Sequence, residues 1–269
     1  MCGWCNDILN ADIKQLNIFS DDEVERVVYD VYNGTINLRN LDVHTYQKTA
    51  KQLTDGVFTG FGKNMDNILI NTPDYKMLSD LRENVYVFSG AKNYQQVRAM
   101  SELLTTDGAI TGFNDYKKKA TNVFNEYNKN YLTAEYNSAI AQSRSASQWM
   151  EIEADKELYN QLQYVTANDG RVRPEHALLN NIVRPIDDKF WSTYMPPNGW
   201  NCRCDVLQVN EVENTLRGDI PKMTDKQVPE IFRMNAGKER IVFSENHPYF
   251  NIADRDIAFA KTNFGLPIP

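Results

Sequence analysis

The chain has 269 residues, a formal charge of −7, four cysteines and a hydrophobic fraction of 42%, which is enough core to fold without staples and too apolar for wholesale disorder. No run approaches the roughly 20 apolar residues of a membrane span, and MCGWCNDILN lacks the basic and apolar regions of a signal peptide. Four cysteines in a chain this long make no disulfide scaffold and are expected to stay reduced.

The first half reads as helical. Ser20-Asp21-Asp22-Glu23 has the form of a capping box, and Val24, Val27, Val28, Val31 and Tyr32 follow at helical spacing up to Gly34. A second helix is expected from near Asp42, carrying Val43, Tyr46, Ala50 and Leu53 and ending at Asp55-Gly56. The GVFTGFG stretch, residues 56–62, reads as a flexible turn, since it lacks the Lys-Ser/Thr of a phosphate loop. A short helix is expected over 93–104. Between Gly112 and Gly170 there is neither Gly nor Pro, and Phe113, Tyr116, Ala120, Phe124, Tyr127 and Tyr131 step by three or four. One helix over that window would be about 80 Å long. A break near Asn128–Asn130, or a helix projecting from the body, is therefore expected.

After Thr166 the helical period disappears, and Gly170, Pro174, Pro185, Pro196, Pro197 and Gly199 punctuate the chain. Arg203–Val209 and Arg240–Phe243 read as short strands, with Thr224-Asp225-Lys226-Gln227 capping a short helix between them. The expected class is α+β: a helical N-terminal part (1–112), a long helix or helical hairpin (113–165) and a smaller mixed, loop-rich C-terminal domain (166–269).

Chemistry-bearing residues concentrate in 168–204: Arg171, Arg173, His176, Asp187, Asp188, Trp191, Trp200, Cys202, Arg203 and Cys204. Pro-Pro-Asn-Gly at 196–199 is a turn signal, with Asn-Gly suited to positive φ and Trp200 as its apolar anchor. Cys202-x-Cys204 at the start of a strand puts both sulfurs on one face. With His176 and His247 they form a chemically sensible four-ligand set for a structural zinc ion; His44 is the remaining histidine. The competing account is two small buried cysteines, with the histidines bonded across loops to backbone or to Asp187 and Asp188. Cys2-Gly3-Trp4-Cys5 is a CxxC without a preceding strand. It could complete an all-thiolate site with Cys202 and Cys204, or simply be a Trp-anchored end. Arg171, Arg173, His176 and Asp187 or Asp188 also permit an acid/base and anion-clamping reading, although no HExxH, GxSxG or GxGxxG motif accompanies them.

Three ordered blocks in this segment, Arg171–His176 (RVRPEH), Pro185–Trp191 (PIDDKFW) and Pro196–Cys204 (PPNGWNCRC), closely resemble the hallmark of the phage Mu protein F-like family of minor head, or head morphogenesis, proteins. Tyr131–Ala139 and Gln148-Trp149 upstream resemble the family's preceding helix. Phe232–Asn235, Val242-Phe243 and His247-Pro248-Tyr249 downstream resemble its closing element, so the likeness covers about 130–250. The CxxC is not part of that pattern.

The resemblance implies a structural protein rather than an enzyme: a minor component of a tailed-phage head, associated with the portal, with a role in head assembly and in DNA packaging or ejection. No organic cofactor is expected, and a structural zinc ion on the Cys/His set is the one candidate. The protein's expected partners are portal, major capsid or other head proteins, with transient DNA contact and no membrane. Its expected place is the virion, after assembly in the host cytoplasm, and the exposed faces of the long helix are the expected docking surface. Two other readings remain open. One is a metal-independent phage nuclease or transferase using Arg171, His176 and Asp187. The other, a DNA-contacting module, is disfavoured by charge: residues 1–130 carry 14 basic and 17 acidic side chains and residues 131–269 carry 15 and 19, so neither half is a basic block.

Overall fold

The computed structural model describes residues 15–222 and 228–267. The class is α+β, as expected. Helix α1 (Asp21–Tyr32) starts on its capping box: Ser20 Oγ accepts the Glu23 amide at 3.3 Å, and the Glu23 carboxylate accepts the Ser20 amide at 2.7 Å. Val24, Val27, Val28 and Val31 are buried, and Gly34 follows at φ +81°. The Glu23 carboxylate also meets His44 and Lys48, and with the cap these partners hold it well below the usual carboxylate range.

Helix α2 (Val43–Phe61) does not end at Gly56. It continues through Gly56 and Gly60 and stops at Gly62, where φ is +78°. Contact accounts for Gly60: a Cβ there would stand 2.0 Å from the carbonyl oxygen of Ile140. Glycine here marks the close approach of two backbones, not a turn. Helix α3 (Pro73–Ser101) begins at Pro73 rather than near residue 93. Phe88 to Tyr94 are buried without interruption, Ser89, Lys92 and Asn93 among them. A helix covered all round carries no apolar stripe to read.

A small hairpin of β1 (Thr105–Thr106) and β2 (Ala109–Ile110) leads into α4 (Phe113–Asn125). The break expected near Asn128–Asn130 is a π turn over Glu126–Tyr131, after which α5 runs over Leu132–Ala154. The Leu132 amide reaches the Tyr127 carbonyl five residues back, so the helix widens without stopping. No described helix is long and apolar enough to cross a membrane.

Downstream come β3 (Gln161–Val165), α6 (Pro174–Ala177), β4 (Val183–Pro185), α7 (Phe190–Tyr194), β5 (Asp205–Val209), α8 (Ala236–Glu239) and α9 (Ile257–Ala260), with 3-10 turns between. The strands form an antiparallel sheet in the order β4-β3-β5, pairing Leu162 with Arg184 and with Gln208. β5 starts at Asp205, so the two cysteines precede the strand rather than opening it. Arg240–Phe243 is not a strand. Arg240 is left-handed at φ +60° and closes α8, while Val242 and Phe243 are buried in the loop that follows. The helix cap expected at Thr224–Gln227 lies outside the described residues.

The described residues fall into two compact units. A helical unit takes 15–55, 83–136 and 247–267, and a motif unit takes 56–82, 137–222 and 228–246. In the helical unit Phe19 packs edge-on against Phe124 at 5.2 Å, and Arg26 grips Asp42 through both guanidinium nitrogens at 3.1 and 2.8 Å. Lys92 and Glu135, each with 2% of its side chain exposed, form a buried ion pair. The Lys92 ammonium also donates to the Tyr127 carbonyl at 2.7 Å, and Tyr249 Oη donates to Glu135 at 2.9 Å.

The core of the motif unit joins Trp149 and Ile152 of α5 to Leu162, Tyr164, Leu179, Ile182, Ile186, Phe190, Trp191, Met195 and Val206. Gly237 of α8 lies against Trp149, where a Cβ would come within 2.2 Å of that side chain.

Two substitutions test these contacts. Lys92→Met leaves Glu135 buried without its cation and is expected to cost about 3–5 kcal/mol. Adding Glu135→Leu should recover much of that loss in urea denaturation. Gly60→Ala should lower the thermal midpoint, with an overpacking cost of about 1–3 kcal/mol, although alanine at an open helical site would raise it.

Candidate functional site

The three sequence blocks meet in the motif unit. Arg173 is the N-cap residue of α6, and Pro174 occupies the first helical position, where its missing N–H costs nothing. This short helix buries His176 with its Nδ1 3.6 Å from Cys202 Sγ and 3.8 Å from Cys204 Sγ. Neither cysteine is in a disulfide. The ligand atoms of His176, Cys202 and Cys204 all lie within 4.8 Å of one another. The Tyr164 hydroxyl lies within hydrogen-bonding reach of Cys204 and donates to Asn198 at 2.8 Å. A hydrogen bond from the Cys204 thiol favours the Cys202 thiolate against its burial, and His176 adds to that effect. The same bond pushes the Cys204 thiol up.

The Pro-Pro-Asn-Gly turn is held from within. Pro196 accepts from Ser145 Oγ at 2.7 Å, the Pro196-Pro197 bond is cis, and Asn198, fully buried, donates to Met195. Gly199 is closely approached: a Cβ there would stand 3.1 Å from the Arg173 guanidinium and 3.7 Å from His176. The positive φ falls at Asn201 (+55°), not at Asn198-Gly199. Trp200 packs edge-on against Phe232 at 5.0 Å, and its carbonyl accepts from Arg173.

The middle block makes core. Trp191 is fully buried and donates to the Pro185 carbonyl at 3.0 Å, and Asn235 donates to the Trp191 carbonyl at 3.1 Å. Asp188 is buried between Arg184 and Arg217 and accepts the Phe190 amide at 2.9 Å. Burial opposes its charge, yet these partners hold its pKa below the usual value. Asp187 is exposed. Arg203 grips Asp169 through both nitrogens at 2.7 and 2.6 Å, and exposed Arg171 stands 3.9 Å from the same carboxylate. The acid/base reading thus finds His176 turned to sulfur, Asp188 committed to two arginines and Asp187 in solvent.

His247 is not in the cluster. It belongs to the helical unit, where Nδ1 accepts the Tyr249 amide at 3.2 Å and the ring stacks edge-on against Phe88 at 5.0 Å. Of the four ligands read from the sequence, His176, Cys202 and Cys204 come together, while His247 Nδ1 caps the turn over Pro248–Phe250. Cys2 and Cys5 lie outside the described residues. Asp169, Asn198 and Tyr164 were not singled out from the sequence. Asn198 stood inside a visible turn motif, but its burial depends on a tyrosine 34 positions earlier.

The matched span agrees with this geometry. Residues 91–207 match the family described as Phage Mu protein F like protein. The span takes in α4, the π turn, α5 and all three blocks; the closing elements at 232–249 lie beyond it. Two curated relatives are similar. One is "Putative capsid assembly protein F" of Escherichia phage Mu, 37% identical over 118 residues, covering 39% of this chain and 27% of the relative. The other is "Mu-like prophage FluMu F protein" of Haemophilus influenzae, 41% identical over 56 residues, covering 21% of this chain and 14% of the relative. The chain therefore spans about a quarter or less of these relatives' lengths. No solved structure matches the chain.

Burial and Lys92 lower the His247 pKa from 6.5 to about 4. The neutral ring accepts the Tyr249 amide, and the imidazolium has no lone pair to do so. His247 therefore contributes on the order of 3 kcal/mol above pH 6.5, lost progressively as pH falls from 6.5 to 4. Urea midpoints at pH 7.5 and 4.5 should fall less for His247→Gln than for the wild-type chain.

Proposed function

We propose that the chain is a head-assembly protein of a Mu-like tailed phage, acting as a structural component that docks to other head proteins. The observation that carries this is the 91–207 family match, which includes all three blocks, together with the name "Putative capsid assembly protein F" of the similar phage Mu relative. The geometry supports a structural reading. Trp191, Asp188, Asn198, Arg203 and Trp200 each hold loops or fill core, and an arrangement committed to internal contacts builds a rigid shape rather than a reactive centre.

The finer reading is that the partner is the portal or a capsid protein, that the protein is retained in the virion, and that it assists DNA packaging or ejection. The exposed residues of α4, Asn114, Asp115, Lys118, Lys119 and Asn122, offer a helical surface of the kind that docks in a partner's groove, whereas α5 exposes only Glu151 and Ala154 at its end. Deleting the gene from the phage that carries it should abolish DNA-filled heads in lysates seen by electron microscopy while tails persist, and mass spectrometry of purified virions should detect the chain. Normal heads in the deletion would overturn the assembly role. Absence from virions that need it for assembly would overturn the retained portal-associated position.

A further inference from the structure

We infer that His176 Nδ1, Cys202 Sγ and Cys204 Sγ hold one zinc ion, with a fourth coordination position open to the cavity that the two cysteines line. This assignment does not rest on the head-assembly reading. Ligand atoms 2.0–2.3 Å from a tetrahedral zinc ion stand about 3.5–3.8 Å apart. The two nitrogen–sulfur separations, 3.6 and 3.8 Å, have that size.

Hydrogen bonding does not account for the arrangement equally well. A neutral imidazole offers one lone pair or one N–H at Nδ1. It can bond one of the two sulfurs aimed at it at a time, which leaves the other to the bond between the two cysteines. A metal ion at the common focus serves all three atoms at once. Two thiolates and an imidazole are soft and borderline donors that select zinc over calcium or magnesium, which want oxygen ligands. Two thiolates also neutralise a divalent charge, which a buried His and a buried Cys require.

The surroundings suit a metal. The Tyr164 hydroxyl, which donates to Asn198, lies beside Cys204. Arg173 fixes the Trp200 carbonyl immediately before the CxC and lies beside the position a Gly199 Cβ would take. The cavity of about 50 Å³ is lined by Cys202, Cys204, Ser145, Gln148, Arg144 and Pro197, among others. That volume admits a water molecule or a small anion as fourth ligand. The ion would tie α6 of the first block to the CxC of the third.

The test is metal content of full-length protein purified without chelator. About one zinc per chain is expected for the wild type and for His247→Gln, and loss of zinc for His176→Ala and Cys204→Ser. Wild-type protein that holds no zinc and takes up none on titration would overturn the site, as would zinc retained by both cluster variants. Loss of zinc from a folded His247→Gln would overturn the three-ligand set. Should the cluster variants fail to fold, cobalt-substituted wild type decides. Thiolate-to-cobalt charge transfer and tetrahedral d–d bands that shift on adding azide are expected. Absence of thiolate charge transfer would overturn the ligands, and bands insensitive to azide would overturn the open position.

Discussion

An ammonium group removed from water is tolerated only where charge and hydrogen bonds replace its hydration, and much of the helical unit is arranged to do this for Lys92. Burial works to lower its pKa, and Glu135 opposes that effect. The Tyr127 carbonyl takes a second proton of the ammonium while also accepting the Leu132 amide, so both lone pairs of one oxygen are used at the π turn. Tyr249 closes the other side by donating to Glu135, and its ring stacks on Tyr127 at 5.8 Å. Lys92 from α3, the widened turn before α5 and the segment beginning at His247 are thereby linked by one charge that must be satisfied.

The motif unit follows a different rule. Its short strands and four- and five-residue helices are too small to stabilise themselves, so side chains reaching backbone carbonyls do much of the ordering. Ser145 on Pro196, Trp191 on Pro185, Asn235 on Trp191 and Arg173 on Trp200 are all of this kind. The three blocks are thus three stretches of loop fastened to α5, to β4 and to each other. Such fastening explains how a loop-rich segment carries recognisable residue order without regular structure. A zinc ion at His176, Cys202 and Cys204 would be one more fastening, between the first and third blocks.

Local signals were legible where local physics decides. The Ser20 capping box and the valine face of α1 depend on residues within a turn or two, whereas the break before α5 followed from the length of the window without Gly or Pro. The full length of α3 was not legible, because a helix buried from Phe88 to Tyr94 with Lys92, Asn93 and Ser89 inside it shows no periodic face. Gly60 read as flexibility because its function, backbone contact with Ile140, lies 80 positions away. Val242 and Phe243 read as strand because apolar pairs look alike whether they enter a sheet or a buried loop.

The sequence by itself determined the class, the family blocks and the residue types able to bind a metal, since composition, spacing and turn chemistry are properties of the chain as written. The tertiary structure alone decided which histidine joins the cysteines. His176 and His247 were equal candidates as letters. His247 spends its Nδ1 on the Tyr249 amide beside Phe88, while the short α6 aims His176 Nδ1 at two sulfurs 26 and 28 residues ahead. The direction of a ring nitrogen is set by packing around it, and no spacing rule carries that information.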